Sequence, residues 1–378
     1  MAIRERREEL STTIAFSSGN QVLFTGGIPR DRPLSRLFLA LEGRMTISGQ
    51  SIAGNIFPEA PATLIRNVQL RGTKVTGGGT VTLVNARGEE LHRLSSFYEA
   101  APAVGVEVAG LPSATGVAFP APLTPTNNGS FDFRCYYVLP IAPRFATIQD
   151  EIAGVTDPSI YSQLDLLVTF GTGQANFVSG GTLTFALSAF GSASGNPAVR
   201  VVRFSPLLGK SKLYNKWHYT LLSKQINMNS IAAAATDTKI ADLNIGNWLR
   251  FAQLRQYSEN TSVSGQIDQS GGSSLARIGD NSNPGIFRIR VKLNGTEIFR
   301  MINPDLQEHN RQQYDRSTLI PQGYSVIDFT ERGFMGTAFD SRGFGAAAAR
   351  FELFGDWTGI TSTDKLDILQ TERIPVKV

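Results

Sequence analysis

The chain has 378 residues, which is more than a single hydrophobic core usually organises, so two domains are expected. Its 41% hydrophobic and 18% charged residues exclude bulk disorder, and no apolar run reaches the roughly 18 residues that a transmembrane helix needs. The single cysteine, Cys135, excludes an internal disulfide framework and a zinc site built from cysteines.

The first 20 residues are predicted to form an N-terminal arm. Arg4, Arg6 and Arg7 alternate with glutamates in the stretch RERREEL, and we expect these three arginines to make the contacts of the arm. The same charges stand where a signal peptide needs an apolar core, which predicts synthesis in a cytoplasm.

Period-two alternation of apolar residues predicts strands along most of the remaining chain. It is clearest at residues 131–139, 164–170, 183–189 and 287–293. Helical patterns are short, one near Ile148 and one near Asn303, and two long loops are expected at residues 98–130 and 257–285. These features predict an all-β chain of sandwiches with long loops and a few short helices.

The chain also has the pattern of a tandem duplication. The stretch LIRNVQLRG (residues 64–72) resembles WLRFAQLRQ (residues 248–256), and we interpret the two as the same strand in two related domains. Four further pairs follow in the same order: GEELHRL with GTEIFRM, YYVLP with YSVID, LLVTFG with RFELFG, and LTFAL with LDILQ. The predicted domains are residues 21–205 and 206–378, each with room for an eight-stranded sandwich.

Basic residues are concentrated between the two predicted domains. No acidic residue occurs between Asp165 and Asp237, whereas the joint at residues 191–211 and the segment after it are basic. The residues predicted to contact an anionic surface, such as lipid headgroups or a nucleic-acid backbone, are Arg200, Arg203, Lys210, Lys212 and Lys216. The alternative is that these side chains pair with carboxylates elsewhere in the chain or keep the joint soluble.

Residues that carry catalytic chemistry are few. His92, His218 and His309 do not have the spacing of metal ligands, and the sequence contains no nucleophile elbow, P-loop or dinucleotide-binding motif. Cys135 falls on the apolar face of its strand, so it is predicted to be buried. We therefore expect neither catalysis nor a cofactor.

Two tandem sandwiches, long loops, a charged arm and the repeated stretches RNVQLR/RFAQLR and GEELHRL/GTEIFRM resemble one known family. It comprises the double jelly-roll major capsid proteins of tailless icosahedral viruses, such as the membrane-containing phages of the tectivirus and corticovirus type. The resemblance implies two eight-stranded jelly rolls per chain and a homotrimer with a six-sided outline that tiles a shell. The arm and the basic joint would then face inward.

The partners implied by this resemblance are further copies of the chain, neighbouring trimers, other capsid proteins such as a vertex protein, and an internal membrane where the virion has one. Sequence-specific recognition of nucleic acid is not expected. The chain would be made in the host cytoplasm and located in the virion. Two alternatives stay open, a viral receptor- or carbohydrate-binding β-protein of a spike or fibre and a β-sandwich hydrolase.

Overall fold

The computed structural model describes residues 5–48, 62–98, 107–108, 129–141, 155–172, 184–207, 217–258, 285–313, 323–330, 339–341 and 350–375. The first sandwich contains β1 (Glu5–Ala15), β2 (Gln21–Leu23), β3 (Arg36–Ser48), β4 (Ile65–Lys74), β5 (Thr80–Ala86), α1 (Gly88–Tyr98), β6 (Glu107–Val108), β7 (Gly129–Pro140), β8 (Tyr161–Phe170), β9 (Thr184–Ser188) and β10 (Ala198–Pro206). The second contains β11 (Trp217–Asn227), β12 (Ala235–Asp242), β13 (Trp248–Ser258), β14 (Gly285–Leu293), β15 (Thr296–Ile302), α2 (Asn303–Gln313), β16 (Tyr324–Asp328), β17 (Phe339–Asp340), β18 (Phe351–Thr358) and β19 (Asp364–Pro375).

Both sandwiches have the topology of a jelly roll. Eight strands of the first, taken in chain order, are β1, β2, β3, β4, β5, β7, β8 and β10, and eight of the second are β11 to β16, β18 and β19. In each sandwich one sheet has the strand order first, eighth, third, sixth, and the other has the order second, seventh, fourth, fifth. In each, a helix follows the fifth strand. The predicted fold of two tandem eight-stranded jelly rolls is confirmed.

One sheet passes through both sandwiches. The fifth strand of the first, β5, pairs in parallel with the first strand of the second, β11, with Leu221 opposite Val84 and Leu222 opposite Asn85. This pairing fuses two four-stranded halves into a shared sheet of nine strands, with β17 as a short addition. The first sandwich is completed by a six-stranded sheet around β1, β10, β3 and β7, and the second by a four-stranded sheet of β12, β18, β14 and β15.

The strands form because alternate residues are buried in one of two cores. Leu164, Leu166, Val168 and Phe170 of β8 all lie in the first core. Burial of each such side chain contributes about 1.5–3 kcal/mol, so the alternation fixes which face of the strand points inward. In contrast, β13 is buried along nearly its whole length because the shared sheet is covered on both faces in the second sandwich.

The predicted N-terminal arm is largely a strand. Residues 5–15 form β1, the first strand of the first jelly roll, which pairs antiparallel with β10. Leu10 and Ile14 enter the first core, and the register shift between Glu9 and Thr13 leaves both on the same face of the strand. The predicted joint at residues 191–211 likewise contains β10, which lies between β1 and β3. The helix predicted near Asn303 is α2, and the one near Ile148 lies outside the described residues.

The sequence pairs that suggested the duplication are mostly mismatched. RNVQLR lies on β4, a fourth strand, whereas RFAQLR lies on β13, a third strand. GEELHRL belongs to α1 and GTEIFRM to β15, while LTFAL overlaps the accessory strand β9 and LDILQ lies on β19. These three pairs were wrong, so Arg66 and Arg250 do not correspond.

Two pairs do occupy equivalent strands. YYVLP and YSVID lie on the sixth strands, β7 and β16. Their aligned residues also point to the same side of the sheet relative to the core of their own sandwich. LLVTFG and RFELFG lie on the seventh strands, β8 and β18, but with opposite orientation, since Leu166 is buried and the aligned Arg350 is exposed. Amphipathic strands of similar composition match one another by chance, so the duplicated architecture was predicted correctly from a largely incorrect alignment.

Candidate functional site: the junction and the outer faces

Arg203 of β10 is buried, with 1% of its side chain exposed. Its Nη2 donates to Glu8 Oε2 (2.6 Å), and its Nη1 donates to Asp31 Oδ1 (2.6 Å) and to the Pro29 carbonyl oxygen (2.9 Å). The hydrogen bonds from Arg203 hold the pKa values of the Glu8 and Asp31 carboxyls below their usual range. The prediction that Arg203 contacts an external anionic surface is wrong, because its charge is satisfied within the chain.

Arg200 is also engaged within the chain, although 31% of its side chain is exposed. Its Nε donates to Glu42 Oε2 (2.9 Å) and its Nη1 to Glu9 Oε2 (2.8 Å). The alternative raised for the basic segment, pairing with carboxylates elsewhere, therefore describes Arg200 as well as Arg203. Lys210, Lys212 and Lys216 lie outside the described residues.

The N-terminal arginines that the structure describes lie on the edge strand β1. Arg6 is exposed, with its Nη2 4.0 Å from Glu8 Oε1. The Arg7 guanidinium lies over the Phe204 ring, 5.5 Å from its centroid. Arg4 lies outside the described residues.

The first outer face is the side of the β1, β10, β3 and β7 sheet that is turned away from the first core. At one end it carries Arg7, Arg36, Phe38 and Phe204. The Arg36 guanidinium lies 4.4 Å from the Phe204 ring centroid, and the two phenylalanine centroids are 4.8 Å apart. Such cation–π contacts make this end apolar and positively charged at once.

The second outer face is the corresponding side of the sheet formed by β12, β18, β14 and β15. Arg288 and Arg290 both donate to Asp356 Oδ2 at 2.9 Å, and Lys292 Nζ donates to Asp237 Oδ1 at 2.8 Å. These charges are balanced locally, and Arg290 and Asp356 are themselves buried. The network therefore defines a polar surface.

The junction is the contact between α1 of the first sandwich and the shared sheet of the second. Asp367 of β19 is central to it and accepts from Arg87 Nε at 2.9 Å and from Arg255 Nη1 at 3.1 Å. A second Arg255 nitrogen lies 3.6 Å from Glu89 Oε1 on α1. Glu90 Oε1 accepts from Ser223 Oγ of β11 at 2.9 Å. Charged groups of both sandwiches are thus buried against each other.

Burial governs protonation at the junction. Burial, together with the nearby Asp367 carboxylate, raises the pKa of Glu90 to about 8. Burial also raises the pKa of Asp367, but Arg87 and Arg255 oppose that rise. We assign the proton to Glu90 and the negative charge to Asp367, because only Asp367 lies between two guanidinium groups.

Guanidinium groups of the junction also contact aromatic rings of the second sandwich. Arg93 of α1 lies over the Tyr324 ring at 5.5 Å, and Arg255 lies over the Tyr257 ring at 4.0 Å. Tyr257 and Tyr324 belong to the first core although they come from the second sandwich. The first core therefore extends across the junction, which makes the two jelly rolls one packed body.

The sequence contained two signals for α1 that were missed. The Arg87 backbone N–H donates to Glu90 Oε2 at 2.9 Å, which is one half of a capping box. Glu89 and Glu90 also lie in the first helical turn, where the helix dipole favours negative charge. His92 lies on α1, where its Nδ1 is 2.8 Å from the Tyr136 carbonyl oxygen.

Cys135 is buried as predicted. Burial raises the pKa of its thiol to about 12, so the reactive thiolate form is suppressed. Within the described ranges no group of three or more His, Cys, Asp or Glu side chains could hold a metal ion. In the same part of the chain, no helix combines the length and the apolar character needed to span a bilayer.

No protein-family model matches the sequence, and no curated protein matches it. Solved structures do match. The major capsid protein of Sulfolobus Turreted Icosahedral Virus is similar with a TM-score of 0.64 and 15% identity, over 99% of this chain and 97% of that one. VP54 of the virus PBCV-1 has a TM-score of 0.56 and 12% identity, over 100% and 96% of the two chains.

The major capsid protein P2 of bacteriophage PM2 has a TM-score of 0.53 and 11% identity, over 98% of this chain and 97% of that one. At these identities the likeness establishes the fold, and it extends over nearly the full length of every chain compared. The chain therefore has the double jelly-roll fold of viral major capsid proteins.

Proposed function

We propose that this chain is the major capsid protein of an icosahedral virus and assembles as a homotrimer with a six-sided outline that tiles the shell. The observation that carries the proposal is the pair of complete jelly rolls fused through one shared sheet. The full-length likeness to capsid proteins of three different viruses supports it.

The buried junction gives a physical reason for such a role. Arg87 of the first jelly roll and Arg255 of the second share the completely buried carboxylate of Asp367, and this pairing ties the two jelly rolls to each other. Each chain carries two similar jelly rolls in a fixed orientation, so three chains present six similar jelly rolls. Closed rotational symmetry then builds a tile from identical chains.

The expected partners are further copies of the chain, neighbouring trimers and other capsid proteins such as a vertex protein. An anionic surface on the inner side of the shell, a membrane or the genome, remains the proposed partner of Lys210, Lys212 and Lys216. Replacing all three lysines with glutamate should weaken sedimentation with anionic vesicles, because each exposed basic residue contributes about 1 kcal/mol at such a surface. Unchanged vesicle binding and unchanged assembly would remove this part of the proposal.

The direct test of self-assembly is the mass of the purified full chain in solution, measured by sedimentation equilibrium. The proposal predicts a stable species of three times the 41.0 kDa chain mass. A strict monomer at high protein concentration would count against a capsid role. Binding of a glycan to that monomer would favour the receptor-binding alternative instead.

A further inference from the structure

Little backbone pairing joins the two jelly rolls. Among the described residues, the parallel contact of β5 with β11 consists of Leu221 opposite Val84 and Leu222 opposite Asn85. Within the second sandwich, by contrast, β11 pairs with β19 along its whole length. The contact between the two sandwiches therefore depends strongly on the side chains of the junction, where α1 faces β11, β13 and β19.

Glu90 is the carboxyl group of the junction that lacks a cationic partner. It is 0% exposed, and its Oε1 accepts from Ser223 Oγ at 2.9 Å. Its Oε2 accepts from the Arg87 backbone N–H, also at 2.9 Å. No lysine or arginine side chain in the described part of the chain forms an ion pair with it. Asp367, in contrast, accepts from the guanidinium groups of both Arg87 and Arg255.

The groups around Glu90 come from every element of the junction. The strands of the second sandwich contribute Ser223 and Gln225 of β11, Gln253, Arg255 and Tyr257 of β13, Tyr324 of β16 and Asp367 of β19. The first sandwich contributes Arg87 before α1, Glu89, His92 and Arg93 on α1, and Cys135 and Tyr137 on β7. The nearest negative charge is that of Asp367.

An ionised Glu90 would be poorly tolerated in this setting. It would place a second negative charge beside Asp367, with neutral donors on both of its oxygens. A buried charge without a partner is costly, so the carboxyl group either keeps its proton or gains access to water. Access to water requires the short contact between the sandwiches to loosen.

We propose that the proton on Glu90 holds the junction closed, and that release of this proton lets water enter between α1 and the second sandwich while both cores stay folded. In this step the carboxylic acid transfers its proton to solvent and becomes a hydrated carboxylate. The inference goes beyond the proposed function, because it concerns a movement within one chain and does not require self-association.

The pH dependence follows from the two states of Glu90. Its pKa is about 8 in the closed junction and returns toward the ordinary 4.5 when water enters, so opening releases one proton between these values. The closed state is therefore favoured most below about pH 4.5 and loses this advantage as pH rises through about 8. The fraction of open junctions should rise about tenfold per pH unit within that window and then level off.

A buried thiol reports the opening. Leu221→Cys, made in a Cys135→Ser background, places a thiol at a completely buried position where β5 meets β11. Its rate of reaction with a maleimide is measured from about pH 5 to about pH 9. Division by the rate of a free cysteine peptide at the same pH removes the intrinsic ionisation of the thiol. The normalised rate should rise steeply up to about pH 8 and then level off.

Matched variants identify the responsible group. Glu90→Gln in the same background should keep the normalised rate low at every pH, because a glutamine cannot ionise. Glu308→Gln, on α2 and 44% exposed in the native chain, should retain the rising profile. In the native chain Cys135, which is completely buried in the first core, should stay unreactive throughout.

Hydrogen exchange of the native chain gives a second measurement that needs no substitution. After correction for the intrinsic pH dependence of exchange, amides of residues 84–94 and 219–223 should lose protection between about pH 5 and about pH 8, as the junction opens. Amides of residues 164–170, on β8 in the first core, should keep theirs.

Three results would overturn the inference. These are a flat profile in the Leu221→Cys protein, an unchanged rise after Glu90→Gln, and a loss of protection in residues 164–170 together with the junction. The capsid role is decided separately, by the mass of the chain in solution.

Discussion

Arg255 and Asp367 form an ion pair of 3.1 Å in which neither side chain is exposed to solvent. The pair joins a third strand to an eighth strand of the second jelly roll, and Arg87 of the first jelly roll shares the same carboxylate at 2.9 Å. The two sandwiches are therefore joined by buried charge as well as by strand pairing. Loss of one partner from such a cluster leaves the others uncompensated in the interior.

Asp367→Ala should destabilise the protein by about 3–5 kcal/mol, because Arg87 and Arg255 would lose their shared carboxylate. Denaturant unfolding followed by fluorescence measures the loss. Asp242→Ala is the matched control, since its pair with Lys239 is a surface contact with the aspartate 64% exposed. Equal stability losses in the two variants would contradict the assignment of Asp367 to a buried network.

Glu90→Gln tests the assigned proton. The pKa of Glu90 is raised from an ordinary value of 4.5 to about 8, so its contribution to stability is fully present below pH 4.5 and is lost as pH rises through about 8. The melting temperature of the native chain should therefore fall between about pH 4.5 and about pH 8, and Glu90→Gln should reduce that fall. A variant with the native pH dependence would show that Glu90 is not the titrating group.

Arg203→Ala should lower the free energy of unfolding by about 1–3 kcal/mol, the range for hydrogen bonds with charged groups. Arg203 lowers the pKa values of Glu8 and Asp31, so its contribution is present above their ordinary values and is lost as pH falls through the lowered ones. The stability difference between variant and native chain should accordingly shrink in acid. Anionic-vesicle binding should not change; a selective loss of it would restore a surface role for Arg203.

Gly88→Ala should destabilise the docking of α1. A Cβ at this position would collide with the Ile65 carbonyl oxygen and approach the Ala62 carbonyl oxygen to 2.9 Å. Forcing such an overlap costs about 1–3 kcal/mol and displaces the helix that carries Glu89 and Glu90. Gly79→Ala is the control, because nothing lies within 4 Å of its added Cβ. Thermal unfolding of the two variants should differ clearly, and a neutral Gly88→Ala would mean that α1 tolerates movement.

The fold class was predictable because alternate residues of strands such as β8 are buried, so apolar residues recur there at every second position. The first strand was missed because its start, ERREEL, is highly charged, although its buried residues Leu10 and Ile14 keep a period of two. Helix α1 was not predicted because GEELHRL was paired with GTEIFRM, which lies on β15, and its capping residue was not recognised.

The junction could not be predicted from the sequence. Its charged residues, Arg87, Arg255 and Asp367, are more than 100 positions apart from one another, and no local pattern marks them as partners. Similarly, Arg203 and Glu8 are 195 positions apart, so the excess of basic residues near the joint gave no sign of this compensation. Composition shows how many charged residues a segment contains, whereas the fold decides which of them form ion pairs.

The most direct test of the central claim is an electron cryomicroscopy reconstruction of the purified chain. We predict a closed particle of three chains with a six-sided outline. A monomer, or a particle with a different number of chains, would contradict the account.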